Sequence, residues 1–80
     1  MTIRAYILLT AEVGRIKRVL EEVRAIQGVI KADAVSGPYD AIVEVEAADL
    51  KDLERIIYDV RNVNGVMSVT TEVVGDLEEE

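Results

Sequence analysis

The 80-residue chain contains neither cysteine nor histidine. These absences exclude disulfides, zinc sites built from Cys or His, and nucleophilic catalysis by a Ser-His or Cys-His pair. A domain of this size buries only about 60 to 65% of its unfolded surface, so its monomer should be marginally stable. Partner subunits are the remaining source of stability. We therefore expect one small domain that associates with copies of itself, and no metal or other cofactor.

Long apolar runs are also missing. No stretch of about 18 apolar residues is available to cross a membrane. The first residues, Met1 to Ala5, lack the charged and apolar segments of a signal peptide. The absence of cysteine is compatible with a reducing compartment. The expected location is the cytoplasm.

Basic residues are few relative to acidic ones, nine against sixteen, which gives a formal charge of -7. Nucleic-acid-binding proteins usually carry a basic face, because phosphate contacts dominate their affinity. Four basic residues do cluster between positions 14 and 27, but Glu21 and Glu22 lie among them at ion-pair spacing. This pattern indicates a solvated helix face, so neither nucleic acid nor a membrane is an expected partner.

Only three aromatic residues are present, all tyrosine. The last three strands, whose ranges are predicted below, contain no pair of aromatic residues that could stack on RNA bases, so the sheet is not expected to bind RNA. One of the tyrosines, Tyr39, follows Gly37 and the single proline, Pro38. Adjacent glycine and proline mark a turn, and alternating apolar residues on both sides make this turn the centre of a β-hairpin. Asp40 follows Tyr39. Its carboxylate has two possible roles: accepting hydrogen bonds from turn amides, or binding a small polar ligand.

Apolar periodicity predicts strands over residues 3–10, 29–35, 39–47 and 66–74 and a helix over 14–27. A second helix begins after Asp49, a suitable N-cap, and ends before Asn64-Gly65. The resulting βαββαβ order predicts a ferredoxin-like α+β fold: a four-stranded antiparallel sheet with both helices on one face. The first and third strands should be central and the second nearer an edge. We expect a single domain over 1–75 and an acidic tail over 76–80.

This topology leaves one face of the sheet without helices. Contiguous apolar surface of that kind marks a contact site, so we expect two copies to associate sheet to sheet or edge to edge. The residues expected on this interface are Tyr6, Leu8, Ile42, Val66 and Val74.

The order of elements resembles the effector-binding (RAM) domain of the Lrp/AsnC transcriptional regulator family. The similarity spans nearly the whole chain. It is carried by residues 5–9, Gly14, Gly28-Val29, the segment 36–45 (SGPYDAIVEV), Asp49 with Leu53, and Gly65-Val66 with Thr71 and Val73-Val74. The segment 36–45 is its strongest part.

The resemblance implies a homodimer of the dimeric α/β barrel type, assembling into an octamer-like ring, with an amino acid or related metabolite bound between dimers. It implies an effector-binding role in transcription regulation rather than catalysis. Full-length members carry an N-terminal helix-turn-helix, whereas here Met1 leads directly into the first strand. The expectation is therefore a stand-alone module that senses an effector or joins the rings of full-length regulators.

By the same resemblance, Gly37, Pro38, Tyr39 and Asp40 form one wall of the ligand site, with Asp40 taking an ammonium group. The hydroxyls of Ser68, Thr70 and Thr71 are candidates for contacting a carboxylate. Val69 departs from the family pattern, which often has threonine at that position. This departure falls on the strand that the resemblance assigns to recognition of the carboxylate.

Two alternatives stay open. One is an amino-acid-binding regulatory subunit of the ACT type, which has the same topology. The other is a small dimeric ferredoxin-like enzyme, which needs an acid/base group in an apolar pocket. Its candidates are Asp40, Glu44, Glu46 and Tyr6, although adjacent carboxylates on a strand are more often solvated surface groups.

Overall fold

The computed structural model describes residues 2–75. Its elements follow the order β1 (Ile3–Ala11), α1 (Ile16–Arg24), β2 (Val29–Ala34), β3 (Ala41–Ala47), α2 (Leu50–Arg61) and β4 (Val66–Val73). The strands form one antiparallel sheet in the order β2-β3-β1-β4. The predicted ferredoxin-like fold is confirmed, with β1 and β3 in the centre. The acidic tail expected over 76–80 lies outside the described residues.

Alternation along the central strands places the core. Ala5, Ile7 and Leu9 of β1 and the odd-numbered residues of β3 are fully or almost fully buried. The register sets Ile7 beside Val43 and Leu9 beside Ala41, so these side chains share the face on which the helices pack. The helices contribute their apolar stripes to the same core, namely Val19, Leu20 and Val23 from α1 and Leu53, Ile56 and Val60 from α2. The core is therefore a single layer between sheet and helices.

Helix α1 is shorter than the predicted range 14–27. It begins after Arg15, which makes no side-chain cap, and ends at Arg24. The next amides bond three residues back, Ala25 to the carbonyl of Glu22 and Ile26 to that of Val23. This tighter turn ends the helix before Gly28.

Helix α2 has the predicted N-cap. A carboxylate oxygen of Asp49 accepts from the amide of Asp52 at 2.8 Å, and the carboxylate of Asp52 accepts from the amide of Ala48 at 2.9 Å. The two aspartates thus satisfy two free amides where the helix begins. Arg55 continues the network, donating to Asp52, Asp59 and the carbonyl of Gln27.

Gly28 connects α1 to β2 at a close approach to α2. Its φ is +103°, and a Cβ atom there would lie 2.5 Å from Cδ1 of Ile56. The carbonyl of Gly28 accepts from the amide of Glu46 at 2.8 Å, which holds this connection against the end of β3. Glycine is required both by the left-handed backbone and by the space that Ile56 occupies.

The open face of the sheet differs from the expected apolar surface. Tyr6, Leu8 and Ile42 do lie there, since Leu8 pairs with Ile42 and the opposite faces of these strands are buried. Alternation after Val73 puts Val74 beside Arg4 on this face. Val66 was wrongly placed: it pairs with Ala11 after a register shift and packs against the core. The charged neighbours on the open face are Arg4, Lys31, Asp33, Glu44, Glu46 and Glu72.

The pairing of β2 places Lys31 and Asp33 on a different face of the sheet from Val29. A register shift falls between Val29 and Lys31. Val29 therefore pairs with Val45 and packs against the core, whereas Lys31 and Asp33 pair with Glu44 and Ile42 on the open face.

Candidate functional site

The β2–β3 turn is held at its base and open at its tip. The amide of Val35 donates to the carbonyl of Asp40 at 3.0 Å. Between them, Ser36, Gly37 and Pro38 are exposed, whereas Tyr39 and Asp40 are half-buried. Gly37 has φ +150°, and no atom lies within 4 Å of the position a Cβ would take. The turn therefore exposes backbone that a ligand or a second molecule can approach closely.

Asp40 closes the end of the sheet beside this turn. Its amide donates to the carbonyl of Leu9 at 2.8 Å, and its Oδ2 accepts from the amide of Ala11 at 2.8 Å. The β1–β3 ladder ends with the pair of Leu9 and Ala41, so Ala11 has no carbonyl of β3 opposite it. The carboxylate takes the place of that carbonyl. Because Asp40 is engaged in this way, β3 begins at Ala41 and not at the predicted Tyr39.

The carboxylate of Asp40 accepts a hydrogen bond from a backbone amide, which is close to the first of its two predicted roles. That amide belongs to strand β1, however, and not to the turn that contains Asp40. A carboxylate has about four acceptor positions, so one bond to Ala11 leaves capacity for a further donor. Asp40 is half-buried.

The predicted hydroxyl residues of β4 lie on two different faces of the sheet. Ser68 and Thr70 pair with Thr10 and Leu8 on the open face, whereas Thr71 pairs with the buried Ile7 on the helix side. Thr71 therefore cannot join Ser68 and Thr70 in one site of a single chain. Ser68 belongs to the same end of the sheet as Asp40, since their partners Thr10 and Ala11 are adjacent in β1.

Sequence reasoning missed the contribution of β1 to this end of the sheet. The hydroxyls of Thr10 and Ser68 are 2.6 Å apart and share a hydrogen bond. The amide of Glu12 donates to the carbonyl of Gly65 at 2.8 Å, so the β1–α1 connection is fixed to the start of β4. The even-numbered positions of β1 indicated that Thr10 faces away from the core, but only the register reveals Ser68 as its neighbour.

One depression in the surface lies elsewhere. It has a volume of about 550 Å³, opens widely to solvent, and is lined by Ile3, Ala48, Asp49, Leu50 and Lys51. Ile3 pairs with Ala47, whereas the β2–β3 turn adjoins Leu9, so the depression and the turn are at opposite ends of the sheet. Its lining is almost wholly apolar, and none of the predicted ligand residues belongs to it.

The open face carries an ion-pair network near its other end. Arg4 donates to Glu44 at 2.9 Å and to the hydroxyl of Tyr6 at 3.3 Å, and Thr2 donates to Glu46 at 3.0 Å. The hydrogen bond that Arg4 donates to Glu44, together with the electrostatic interactions of Arg4 with Tyr6 and Glu44, raises the pKa of Arg4. Glu44 and Glu46 are therefore engaged surface carboxylates, which is the geometry of a solvated strand face and not of a general base in an apolar pocket.

Two further findings concern residues 2–75 only. They contain no group of three or more acidic side chains arranged to hold a metal ion. Neither of the two helices has the length and apolar character needed to span a bilayer.

Sequence and structure comparisons agree on the kind of domain. The family model described as the Lrp/AsnC ligand binding domain matches residues 4–76. An uncharacterized HTH-type transcriptional regulator of Pyrococcus horikoshii, PH0140, is 31% identical over 71 residues, which are 88% of this chain and 45% of the regulator. A homocitrate synthase of Sulfurisphaera tokodaii is 41% identical over 56 residues, 70% of this chain but 12% of the enzyme. The chain thus spans less than half the length of either relative.

Solved structures share the fold. The crystal structure of FFRP-DM1 superposes with a TM-score of 0.84 at 33% identity, covering 90% of this chain and 97% of that one. A transcriptional regulator of Neisseria meningitidis, NMB0573, solved as a complex with L-Met, gives a TM-score of 0.82 at 17% identity and covers 98% of this chain and 53% of that one. The βαββαβ sheet, the turn at Asp40 and the match over residues 4–76 lead to one assignment: the chain belongs to the Lrp/AsnC ligand binding domain family.

Proposed function

We propose that the domain binds an amino acid or a closely related metabolite at the end of the sheet formed by the β2–β3 turn, the end of β1 and the start of β4. The observation that carries the proposal is the match of the ligand-binding family model to residues 4–76. The L-Met complex of NMB0573, a protein of the same fold, supports an amino acid as the ligand class.

In this proposal Asp40 receives the ammonium group of the ligand. Its carboxylate is half-buried and held in place by the amide of Ala11, so a cation can approach without reordering the side chain. Charge-assisted hydrogen bonds of this kind are stronger than neutral ones. The exposed backbone at Gly37 and Pro38 and the ring of Tyr39 supply the neighbouring contacts, and Ser68 and Thr70 supply hydroxyls from the open face. Thr71 is omitted because it faces the helices.

The complete site requires a second copy of the chain. The depression described above lies at the other end of the sheet, and Ser36 to Pro38 stand exposed at the turn. A binding pocket usually buries most of a small ligand, which an exposed turn cannot do alone. We propose that copies packed through Tyr6, Leu8, Ile42 and Val74 form dimers, and that association of dimers in a ring encloses the turn.

The test is a calorimetric titration of the twenty amino acids into wild type, Asp40→Asn and Glu54→Gln. Asp40→Asn keeps an oxygen that can accept from Ala11 but removes the charge that would pair with an ammonium group. Glu54→Gln is the matched control, since it removes one negative charge from the exposed surface of α2. We expect one or more amino acids to bind wild type and the control equally, and to bind Asp40→Asn about tenfold or more weakly.

Two outcomes would contradict the proposal in different ways. Equal affinity for Asp40→Asn and wild type would remove Asp40 from the site. No heat from any amino acid at millimolar concentration would reject the ligand class.

A second candidate function is supported by the homocitrate synthase relatives. Their local identity of 41% exceeds the 31% of the HTH-type regulator, so a regulatory unit associated with a biosynthetic enzyme is the alternative to one associated with a transcriptional regulator. Native mass spectrometry of this chain mixed with PH0140, and separately with the Sulfurisphaera enzyme, distinguishes them. Mixed oligomers with the regulator alone favour transcription regulation, and mixed oligomers with the enzyme alone favour the alternative.

A further inference from the structure

The depression at the start of α2 is apolar, and the polar groups beside it are already bonded. Ile3 and Leu50 are its large apolar side chains, and Leu50 leaves 66% of its surface exposed. The carboxylates of Asp49 and Asp52 accept from backbone amides at the start of the helix. Small-molecule sites usually combine an apolar lining with a few polar groups that orient the ligand. This depression therefore fits an apolar side chain better than a polar metabolite.

The described part of the chain ends beside this depression. Beyond the β1–β4 ladder, the amide of Val74 donates to the carbonyl of Arg4 at 2.9 Å. One further step along both strands brings Gly75 level with Ile3, which lines the depression. Gly75 has no side chain, and no atom lies within 4 Å of the position that a Cβ would take. The space beside Ile3 is therefore left open by the end of β4.

Alternation directs the next odd-numbered side chain of β4 to the face that carries the depression. Val73 pairs with the buried Ala5, so odd-numbered positions at this end of β4 face the helices, as Ile3 does. After the glycine, the next odd-numbered residue is Leu77, the one apolar residue in the segment 76–80 (DLEEE). Diagonal neighbours on adjacent strands are about 7–8 Å apart, within reach of a long side chain. A continued strand thus brings Leu77 to Ile3.

The charges around the depression favour an acidic segment. Lys51 lines it and takes part in none of the ion pairs within the described part of the chain. The N-terminal end of α2 adds a partial positive charge. Asp49 and Asp52 oppose these charges, but Asp52 is already paired with Arg55 at 2.9 Å. The acidic residues of the segment 76–80 therefore meet a cation here, whereas the formal charge of -7 repels them from most of the surface.

We propose that the segment 76–80 continues the path of β4 and inserts Leu77 into the depression, against Ile3 and Leu50. The segment then covers apolar surface that the rest of the chain leaves exposed, which stabilises the fold. While it is docked, no other molecule can occupy the depression. The contact lies at the opposite end of the sheet from Asp40, so it does not depend on ligand binding.

Nuclear Overhauser effects (NOEs) between methyl groups of the full chain test the contact directly. We expect NOEs from the methyls of Leu77 to those of Ile3 and Leu50, unchanged over a hundredfold range of protein concentration. In a mixture of isotope-labelled and unlabelled chains, the filtered experiment should detect none of these NOEs between chains.

Amide exchange tests the continued strand. Val74 and Arg4 form a hydrogen-bonded pair, and such pairs alternate along an antiparallel ladder, so the next one joins Asp76 and Thr2. We expect the amide of Asp76 to exchange about tenfold or more slowly than that of Glu79, which lies beyond the proposed contact.

Urea denaturation at one protein concentration measures the contribution of the contact. Leu77→Asn should raise the equilibrium constant of unfolding about fivefold or more, because the docked apolar side chain is lost. Glu79→Ala is the matched control within the same segment and should change it little. Leu50→Ala should have a smaller effect in the Leu77→Asn background than in wild type, since the contact between the two side chains is already gone.

Two results would overturn the proposal. If the methyls of Leu77 give no NOE to Ile3 or Leu50, and the effects of Leu77→Asn and Leu50→Ala are additive, the segment does not dock in the depression. If the NOEs appear only between labelled and unlabelled chains, the occupant is a second copy and not the chain's own segment.

Discussion

The contact between Gly28 and Ile56 gives the most quantitative prediction. In Gly28→Ala the residue must keep φ at +103°. Its new methyl carbon would lie 2.5 Å from Cδ1 of Ile56 and 3.3 Å from the carbonyl oxygen of Glu46. The left-handed backbone costs about 1–2 kcal/mol for a residue with a Cβ. Forcing a methyl into a filled core costs about 1–3 kcal/mol more. We expect a total loss of about 2–5 kcal/mol, a large part of the roughly 4–12 kcal/mol that stabilises a domain of this length.

A double-mutant cycle separates the two contributions. Ile56→Val deletes Cδ1, the atom in closest contact, and by itself should cost about 0.5–1.5 kcal/mol because a small cavity is left. In the Gly28→Ala background the same change relieves the overlap, so it should cost less or even stabilise. Gly14→Ala is the control for strain alone, since Gly14 has φ +82° and no atom within 4 Å of its Cβ position.

The assay is urea denaturation followed by far-UV circular dichroism, at one protein concentration because association contributes to stability. We expect Gly14→Ala to lose about 1–2 kcal/mol and Gly28→Ala clearly more. If Ile56→Val costs the same within about 0.5 kcal/mol in both backgrounds, the two residues are not coupled. The packing argument for Gly28 would then be wrong, and only its backbone conformation would matter.

Two further predictions concern acidic side chains that accept from backbone amides. The hydrogen bond from the amide of Ala48, and then the one from Arg55, hold the pKa of Asp52 below its ordinary value of 3.8. The contribution of Asp52 to stability is therefore present above that value and is lost as pH falls through the folded pKa. Urea midpoints of wild type and Asp52→Asn should differ at pH 7 and converge towards pH 2, and a constant difference would refute this. Asp40→Ala leaves the half-buried amide of Ala11 without an acceptor and should cost about 1–3 kcal/mol of stability. Asp40→Asn keeps an acceptor and should retain most of the stability. Equal urea midpoints for the two variants would show that the hydrogen bond to Ala11 contributes nothing.

The fold could be predicted because local signals and topology rules agree. Alternation in β1 and β3, the apolar stripes of the helices and the cap at Asp49 each identify one element, and the right-handed crossover rule then leaves few arrangements. The central positions of β1 and β3 follow from the βαββαβ topology. The boundaries were less accurate where tertiary hydrogen bonds decide them, as at Asp40, whose amide and carboxylate bond to β1.

The candidate site was harder to predict because it depends on register. Alternation along β4 alone decides whether Thr71 and Ser68 lie on the same face of the sheet. Which β1 residue lies beside Thr71 or Ser68 depends on the strand pairing and on the register shift at Ala11. A shift of one residue reverses the face of every side chain beyond it. The same register shift explains why Val66 was predicted on the wrong face of the sheet. Val66 follows Asn64-Gly65 at the start of β4, and its side chain packs against the core.

The position of Asp40 connects the fold to its proposed function. The carboxylate of Asp40 completes the hydrogen bonding of β1. In the proposed site it also receives the ammonium group, so an alanine substitution would remove both roles at once. Weak binding by Asp40→Ala would therefore be ambiguous, since a displaced Ala11 amide could disturb the turn. Asp40→Asn retains an acceptor for Ala11 without the charge. A variant that is nearly as stable as wild type yet binds weakly would thus assign the lost affinity to the charge and not to the backbone that it supports.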